Sequence, residues 1–346
     1  MIYIMAALLF PGFCFPKSKF CFYTESMALA AVLGGFNGDL DLNNYRHRYE
    51  LELIPFEFEQ LMYSGVSSFF HRIGVSFEWY HFILTAITVF IIAICVRSLT
   101  EHSAYAMSLI STFALLETAW QLKTLTAMGM SVLALWWHYQ KIYVSDNPGA
   151  MHKAVFLMLV LAAAQFHYLA LFFVLFLFVK KKNHVFVMIK NMLLFDLIFF
   201  CFSDVVIKTA AKFLYSLHRY TQPMSIPSIM ITIAWQVSAI AVVYCAQRYH
   251  KDEFSGWILQ GTLLFLLLIP MYKYTVVATR IFRIWMVFTA IYISKLHRQG
   301  MRVSLYRILY DAYNFGSLGY WFVFINVYNG TESSVKYLLT NHILNG

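Results

Sequence analysis

Apolar stretches of membrane-spanning length recur along all 346 residues of this sequence. Crossing the hydrocarbon core takes about 20 apolar residues, so the chain has room for roughly ten to twelve crossings. Because 60% of the residues are hydrophobic and 12% are charged, a water-soluble fold would expose large apolar patches. The sequence therefore predicts an all-α, polytopic membrane protein with a single domain over residues 1–346.

The apolar runs predict about 11 to 12 transmembrane or half-length helices, with short interfacial helices in the outer loops. The predicted spans are residues 1–16, 20–37, 79–96, 103–120, 124–140, 154–180, 185–207, 228–247, 256–272, 275–294 and 305–328. The run 154–180 is too long for one crossing and carries Gln165 and His167 near its middle. We therefore expect a hairpin of two shorter helices there.

The placement of lysine and arginine favours this hairpin. If the hairpin returns the chain to its starting side, basic clusters at 17–19, 180–182 and 295–302 all face the cytoplasm, as the positive-inside rule requires. This topology makes residues 38–78 the main outer loop and residues 208–227 a second one. The net charge of +9 arises largely from such clusters, so it predicts contacts with membrane lipids and no nucleic acid partner.

The five cysteines lie in or beside apolar runs without a close CxxC pair. This spacing predicts free thiols, with neither a disulfide framework nor a metal site. Since no glycine-rich phosphate loop is visible either, we expect no cofactor and a metal-independent activity.

Residues 39–61, DLDLNNYRHRYELELIPFEFEQL, hold six of the chain's 17 Asp and Glu residues. Asp41 and Tyr45 are four residues apart, Asn44 adjoins Tyr45, and Glu57 follows a proline. Carboxylates can accept a hydroxyl proton, and aromatic and amide groups can hold a sugar ring. The alternative is a solvated loop that is acidic only because outer loops tolerate acids.

Two arginines in the sequence TRIFRIW, Arg280 and Arg283, are three residues apart and share one face of a helix. Guanidinium groups donate paired hydrogen bonds to phosphate oxygens and stay charged when desolvated, so this pair could bind a diphosphate. The alternative is that both side chains reach out to lipid headgroups.

Further ionisable residues lie within or beside the predicted spans, where they are expensive to bury. His167, at the turn of the predicted hairpin, could relay a proton, bind a phosphate oxygen or merely satisfy the backbone. Lys123 and Glu117 are poorly spaced for an ion pair on one helix, although a structural salt bridge between helices remains an alternative. Asp196 and Asp204 fit packing or interhelical hydrogen bonds, but a proton-coupled transporter would give them a larger role.

The order of these features resembles the EpsG/Wzy-like family of bacterial polysaccharide polymerases. The matching positions are the D-x-x-N-Y element at Asp41, Asn44 and Tyr45, the segment Pro55-Phe56-Glu57, His167 in the hairpin, and Arg280 or Arg283 in a late span. The family's Arg-Gln-x-x-Ala helix start is replaced here by Lys123, Thr124 and Ala127. Lysine keeps the positive charge but loses the bidentate fork of arginine.

The resemblance implies a glycosyltransferase that joins undecaprenyl-diphosphate-linked oligosaccharide units on the outer face of the bacterial inner membrane. A chain-length regulator is a further partner that it suggests. Its implied catalytic residues are Asp41, Glu57 and His167, and its implied substrate-binding residues are Asn44, Tyr45, Lys123, Arg280 and Arg283. A flippase of the same lipid-linked sugars is the alternative function. A ligase that transfers finished chains to a lipid core fits less well. Ligases carry their large outer loop late in the chain, whereas the largest outer loop here comes early.

Overall fold

The computed structural model describes residues 10–35, 40–51, 60–115, 118–119, 121–181, 185–213, 225–248, 250–296 and 301–323. Within these ranges the chain is helical and contains no β-strand. Four helices are long and apolar enough to cross a membrane, and two shorter apolar helices lie between the first and second of them in the chain. The prediction of an all-α, polytopic membrane protein is confirmed.

The α-helices are α1 Lys19–Gly34, α2 Leu40–Glu50, α3 Leu61–Arg72, α4 Phe77–Leu99, α5 Ser103–Ile110, α6 Leu122–Trp137, α7 Ala150–Ala164, α8 Val185–Phe213, α9 Ile226–Gln247, α10 Glu253–Leu264, α11 Thr279–Lys295 and α12 Met301–Val323. Short π-helical segments, Ser111–Leu115 and His138–Tyr143, continue α5 and α6. Two 3-10 helices, Tyr168–Phe178 and Phe265–Lys273, complete the described elements used below.

One end of the helical bundle gathers lysines and their acidic partners, and we call it the basic end. Lys181 contacts Asp146 at 3.6 Å and Glu253 at 2.9 Å, and the hydrogen bond to Glu253 raises the pKa of Lys181. At the same end Lys17 pairs with Glu101 at 3.2 Å, just beyond the end of α4. Arg97 in the last turn of α4 and Lys295 in the last turn of α11 lie at this end too, since the side chains of Thr100 and Ser294 share a hydrogen bond. The positive-inside rule assigns such basic residues at helix ends to the cytoplasmic face.

The segment 154–180 consists of α7 and the 3-10 helix Tyr168–Phe178, which pack against each other across a three-residue turn. The start of α7 and the end of the 3-10 helix both lie at the basic end. There the His152 carbonyl accepts a hydrogen bond from Trp137 Nε1, and Lys181 Nζ donates to the Val144 carbonyl. At about 1.5 Å per residue for α7 and about 2.0 Å for the 3-10 helix, each limb rises about 22 Å. The turn therefore lies below the far surface of a hydrocarbon core about 30 Å thick.

Helices α2 and α3 pack on the start of α4, at the end of the bundle opposite the basic end. The Arg46 side chain reaches Glu78 at 3.3 Å, and the Tyr49 hydroxyl donates to the Val75 carbonyl at 2.7 Å. The Tyr49 ring also stacks on Tyr80, with ring centroids 4.9 Å apart. These contacts hold α2, which is the described first half of the acidic segment, over this end of the bundle.

Several predictions fall partly or wholly outside the described residues. Glu57 and Glu117 lie outside them, as do residues 214–224 of the second outer loop. Helix α8 continues to Phe213, beyond the predicted end of its span at residue 207. All five cysteines are described, and each is a free thiol.

Candidate functional site

The turn of the hairpin caps a helix from another part of the chain. The first N–H groups of α3 lack partners within the helix, and the residue before it, Gln60, makes no side-chain cap. Gln165, in the hairpin turn, supplies the missing acceptors instead. Its side-chain Oε1 accepts from the Leu61 N–H at 3.0 Å, and its carbonyl accepts from the Tyr63 N–H at 3.4 Å. This double contact places α3 directly against the hairpin.

Lys123, in the first turn of α6, projects toward the same place. Its ammonium group donates a hydrogen bond to Oε1 of Gln60. The Nζ atom also lies 4.5 Å from the ring centroid of Tyr63 and 5.8 Å from that of Tyr45. A cation over two tyrosine rings is held by the negative faces of their π-systems. Lys123 therefore links the hairpin region to Tyr45 of the predicted D-x-x-N-Y element.

Arg280 and Arg283 lie in the first two turns of α11, as predicted on one helical face. Arg283 is only 2% exposed, and its Nη2 donates to Oε1 of Gln121 at 3.3 Å. Arg280 is half-buried. A helix N-terminus already carries positive potential, so two arginines there are favourable chiefly when an anion binds beside them.

His167 lies in the same hairpin turn as Gln165, immediately before the 3-10 helix. Its Nδ1 accepts a hydrogen bond from the Leu169 N–H at 3.4 Å, which caps that helix. The side chain is buried, and the positive charges of Arg280, Lys123 and Arg283 all act on it. The structure thus brings four of the predicted site residues together, and we call the three charged ones the cation cluster.

Three glutamines complete the site, and sequence reasoning gave none of them a role. Gln60 and Gln121 accept hydrogen bonds from Lys123 and Arg283, while Gln165 holds α3. Neutral amides carry no charge signal in a sequence. Their position at the ends of apolar runs was the available clue, since an amide there must find a partner.

Asp41 and Asn44 are exposed residues of α2. Asp41 is one helical turn from Tyr45, a spacing that puts neighbouring side chains about 5–6 Å apart at Cβ. Since Tyr45 also faces Lys123, Asp41 lies at the rim of the same site. Glu57, the second predicted carboxylate, is outside the described residues.

Acidic groups also lie buried away from this site. Asp196 is 8% exposed, and neither of its carboxyl oxygens has a hydrogen-bond partner among the described residues. Of the two roles predicted for it, packing and an interhelical hydrogen bond, the structure agrees with packing. Glu25, which the sequence analysis passed over, is 2% exposed and accepts from the Ser108 hydroxyl at 3.2 Å. Asp311 accepts a hydrogen bond from the Tyr105 hydroxyl in the middle of α12.

Replacing Gln165 by alanine should loosen the start of α3 without unfolding the bundle, because it removes the side-chain acceptor of the Leu61 N–H and keeps the backbone carbonyl that accepts from Tyr63. Loss of an N-terminal cap costs about 1 kcal/mol, or about fivefold in the local opening equilibrium. Hydrogen exchange of a peptide covering residues 60–66 should therefore speed up about fivefold in the variant. A peptide from the centre of α4 serves as the internal control. Unchanged exchange over 60–66 would contradict the capping role.

The fold and the site together define a multi-pass membrane protein whose polar, cation-lined site lies at one end of a helical bundle. The chain belongs to the EpsG family, whose family model matches residues 20–339, and this family is of the Wzy-like polysaccharide polymerase type. No curated protein and no solved structure matches the chain. The family therefore gives the class of activity, a polymerase-like role in polysaccharide synthesis.

Proposed function

We propose that this protein is a glycosyltransferase that joins oligosaccharide units carried on undecaprenyl diphosphate, at the outer face of the bacterial cytoplasmic membrane. The grouping of Lys123, Arg280 and Arg283 near the hairpin turn carries this proposal, because Lys123 binds Gln60, beside the helix start that Gln165 caps, and Arg283 binds Gln121, two residues before Lys123. Three cations near one turn suit a ligand with several negative charges, and a lipid diphosphate is such a ligand. Membership of the EpsG family supports the polysaccharide part of the proposal.

In the proposed reaction the growing chain is the donor and the incoming unit is the acceptor. The bond between the donor's anomeric carbon and the diphosphate oxygen breaks, and the diphosphate leaves with the electron pair. An acceptor hydroxyl oxygen bonds to that carbon and gives up its proton to a base. Positive charge fixed at the departing oxygen stabilises the transition state more than the ground state, which is the task we assign to the cation cluster.

His167 is better suited to donating a hydrogen bond than to removing a proton. Because its Nδ1 already accepts from the Leu169 N–H, the neutral ring carries its hydrogen on Nε2. Such an N–H can donate to a phosphate oxygen. We therefore assign His167 to the diphosphate, together with Lys123 and the arginines.

Asp41 is the carboxylate that we assign as the general base. It is exposed, as access to an acceptor sugar requires, and it lies one helical turn from Tyr45 at the rim of the site. In this arrangement Tyr45 and Asn44 hold the acceptor sugar, while the cation cluster holds the donor's diphosphate. Glu57 stays the second candidate for the base.

Changing Asp41 to asparagine should stop chain growth while leaving the protein's abundance normal. Loss of a general base typically costs about 100-fold to 10,000-fold in rate. Glu50→Gln, at the other exposed end of α2, is the matched control and should leave chain growth intact. Polymer length on gels of cell-surface polysaccharide provides the readout. Normal polymer from the Asp41 variant would remove this residue from the role of base.

The orientation in the membrane follows from the charge distribution. If the basic end faces the cytoplasm, the site faces outward, where lipid-linked units await polymerisation. Membrane lipids and undecaprenyl-diphosphate-linked oligosaccharide are the proposed partners, and a chain-length regulator is a further one. No cofactor or metal enters the proposed reaction, because the leaving group is already activated as a diphosphate.

The direct test is to incubate the purified protein with a defined undecaprenyl-diphosphate repeat unit. A polymerase should produce a ladder of products that differ by one repeat unit. Absence of a ladder with the organism's own repeat unit would reject the assignment.

A flippase of the same lipid-linked sugars is the second candidate. Buried acids without full hydrogen bonding, Glu25 and Asp196, are the observation that favours it, since proton-coupled transport uses such groups within spans. Deletion of the gene separates the two functions. Cells without a polymerase should display single repeat units outside, whereas cells without a flippase should accumulate them on the inner leaflet.

A further inference from the structure

An apolar groove runs along the side of the bundle, between the 3-10 helix Tyr168–Phe178, α8 and the 3-10 helix Phe265–Lys273. Its volume is about 740 Å³, within the range of about 300–1,000 Å³ that is usual for small-molecule sites. Among the described lining residues Asn191 is the one polar side chain. The walls include Phe172, Phe178, Met188, Phe195, Leu268 and Met271.

The groove is long and narrow. On α8 its lining extends from Val187 to Phe199, which corresponds to about 18 Å along the helix axis. That length follows the direction of the helices and covers more than half of a hydrocarbon core about 30 Å thick. A single extended hydrocarbon chain has the shape that fits it.

The groove leads toward the cation cluster at one end. Lys273 follows the lining residue Met271 in the chain, and its Nζ lies 5.3 Å from the ring centroid of Phe200, next to the lining residue Phe199. Six residues after Lys273 the chain begins α11, which carries Arg280 and Arg283. The hairpin makes the same connection, because the 3-10 helix that starts beside His167 provides Phe172 and Phe178 farther along.

We propose that this groove holds the polyprenyl chain of the lipid-linked substrate and that Lys273 contacts its diphosphate as it reaches the cation cluster. The proposal rests on the proposed function and adds the place where the lipid binds. A phospholipid carries two chains on one phosphate, whereas a polyprenyl diphosphate carries one chain on two phosphates. One groove that leads to several cations matches the second ligand.

Photolabelling in nanodiscs of phosphatidylethanolamine and phosphatidylglycerol tests this assignment. The full chain is exposed to a polyprenyl diphosphate with a diazirine on its chain, and labelled peptides are identified by mass spectrometry. Labels should concentrate on the groove faces of α8 and of the 3-10 helix Phe265–Lys273, and unlabelled undecaprenyl diphosphate should compete. Even labelling over the lipid-facing surface, or equal competition by phospholipid, would overturn the proposal.

Tryptophan substitutions that fill the groove from either wall can be compared with a control on the outer face of α8. Met188→Trp projects into the groove, and Leu267→Trp fills it from the opposite wall. Leu197→Trp is the control, since Leu197 is 63% exposed and lies outside the lining. Either groove variant should lower labelling about tenfold through lost apolar contact. Equal labelling of groove and control variants, each eluting as a folded species, would overturn the proposal.

The role of Lys273 is tested by changing the probe's headgroup. Lys273→Ala should weaken labelling by the diphosphate probe about tenfold, the usual effect of losing one charge-assisted hydrogen bond. Labelling by the matching polyprenol, which lacks the diphosphate, should not change, and Lys273→Arg should restore the diphosphate probe. A Lys273→Ala variant that loses both probes equally, or neither, would overturn the contact with the diphosphate.

Labelling requires no polymer to be made, so the two proposals fail separately. Groove labelling without any product ladder would contradict the polymerase and leave the lipid site standing. A product ladder without groove labelling would support the polymerase and contradict the lipid site.

Discussion

Chain growth should fall about 100-fold or more when Arg283 is replaced by methionine, the scale seen when a group that stabilises transition-state charge is removed. Arg283 is the most buried member of the cation cluster, at 2% exposure, and its Nη2 donates to Gln121. Methionine has a similar volume without the charge. Burying a charge costs free energy, and this substitution removes the charge with little change of volume, so the fold should survive. The rate of ladder formation by purified protein measures the effect.

Two companion variants make this result specific. Arg283→Lys keeps the charge but loses the paired hydrogen bonds, so it should fall between the wild type and Arg283→Met. Arg248→Met removes an exposed arginine beside the basic end and should polymerise normally. The thermal midpoint of each protein in detergent separates loss of activity from loss of fold. A stable Arg283→Met protein with a normal ladder would contradict the role of Arg283 in binding the diphosphate.

Lys123→Met should raise the donor concentration needed for half-maximal chain growth by about tenfold to 100-fold, the range for one charge-assisted hydrogen bond. The Nζ of Lys123 lies against two tyrosine rings and Gln60, so it is held in place before the donor arrives. A preorganised charge contributes more to binding than a mobile one. Titration of the lipid-linked donor against initial rate gives the constant.

The resemblance to the EpsG/Wzy-like family suggests a second substitution at Lys123, one that should keep the activity. Arginine is the usual residue at this helix start, so Lys123→Arg should preserve chain growth or improve it. Lys153→Met, an exposed lysine on α7 close to the basic end, is the control and should leave the donor constant unchanged. A donor constant that stays at the wild-type value in Lys123→Met would remove Lys123 from the donor site.

The predicted class of fold came directly from the physical chemistry of the bilayer, because long apolar runs leave a chain few other choices. The convergence of Lys123, His167, Arg280 and Arg283 was harder to predict. Each of them was a candidate by itself, because an ionisable group inside a membrane costs free energy. Their proximity depends on how α6, the hairpin and α11 pack, and it was expected only from the order of motifs in a resembling family.

Other parts of the site gave weaker signals in the sequence. The hydrogen bond from Gln165 to the Leu61 N–H joins residues 104 positions apart, and no local pattern specifies such a contact. The groove beside α8 was also missed, since its residues look like any membrane-facing stripe. For Asp196 the sequence left packing and an interhelical hydrogen bond open, and its two oxygens have no partner among the described residues. The spacing of eight residues between Asp196 and Asp204 indicates that they share a helical face, but it does not identify the residues that pack against that face.

The double contact from Gln165 to the start of α3 has a consequence for how such enzymes can diversify. Because Gln165 binds backbone N–H groups, the exposed positions of α2 and α3 can change while Tyr45, Gln60 and Tyr63 keep Lys123 in place. Under the proposed function, recognition of different sugars then becomes separable from handling of the common lipid carrier. A related chain could acquire a new acceptor preference through those exposed positions alone, provided that a glutamine remains at the turn.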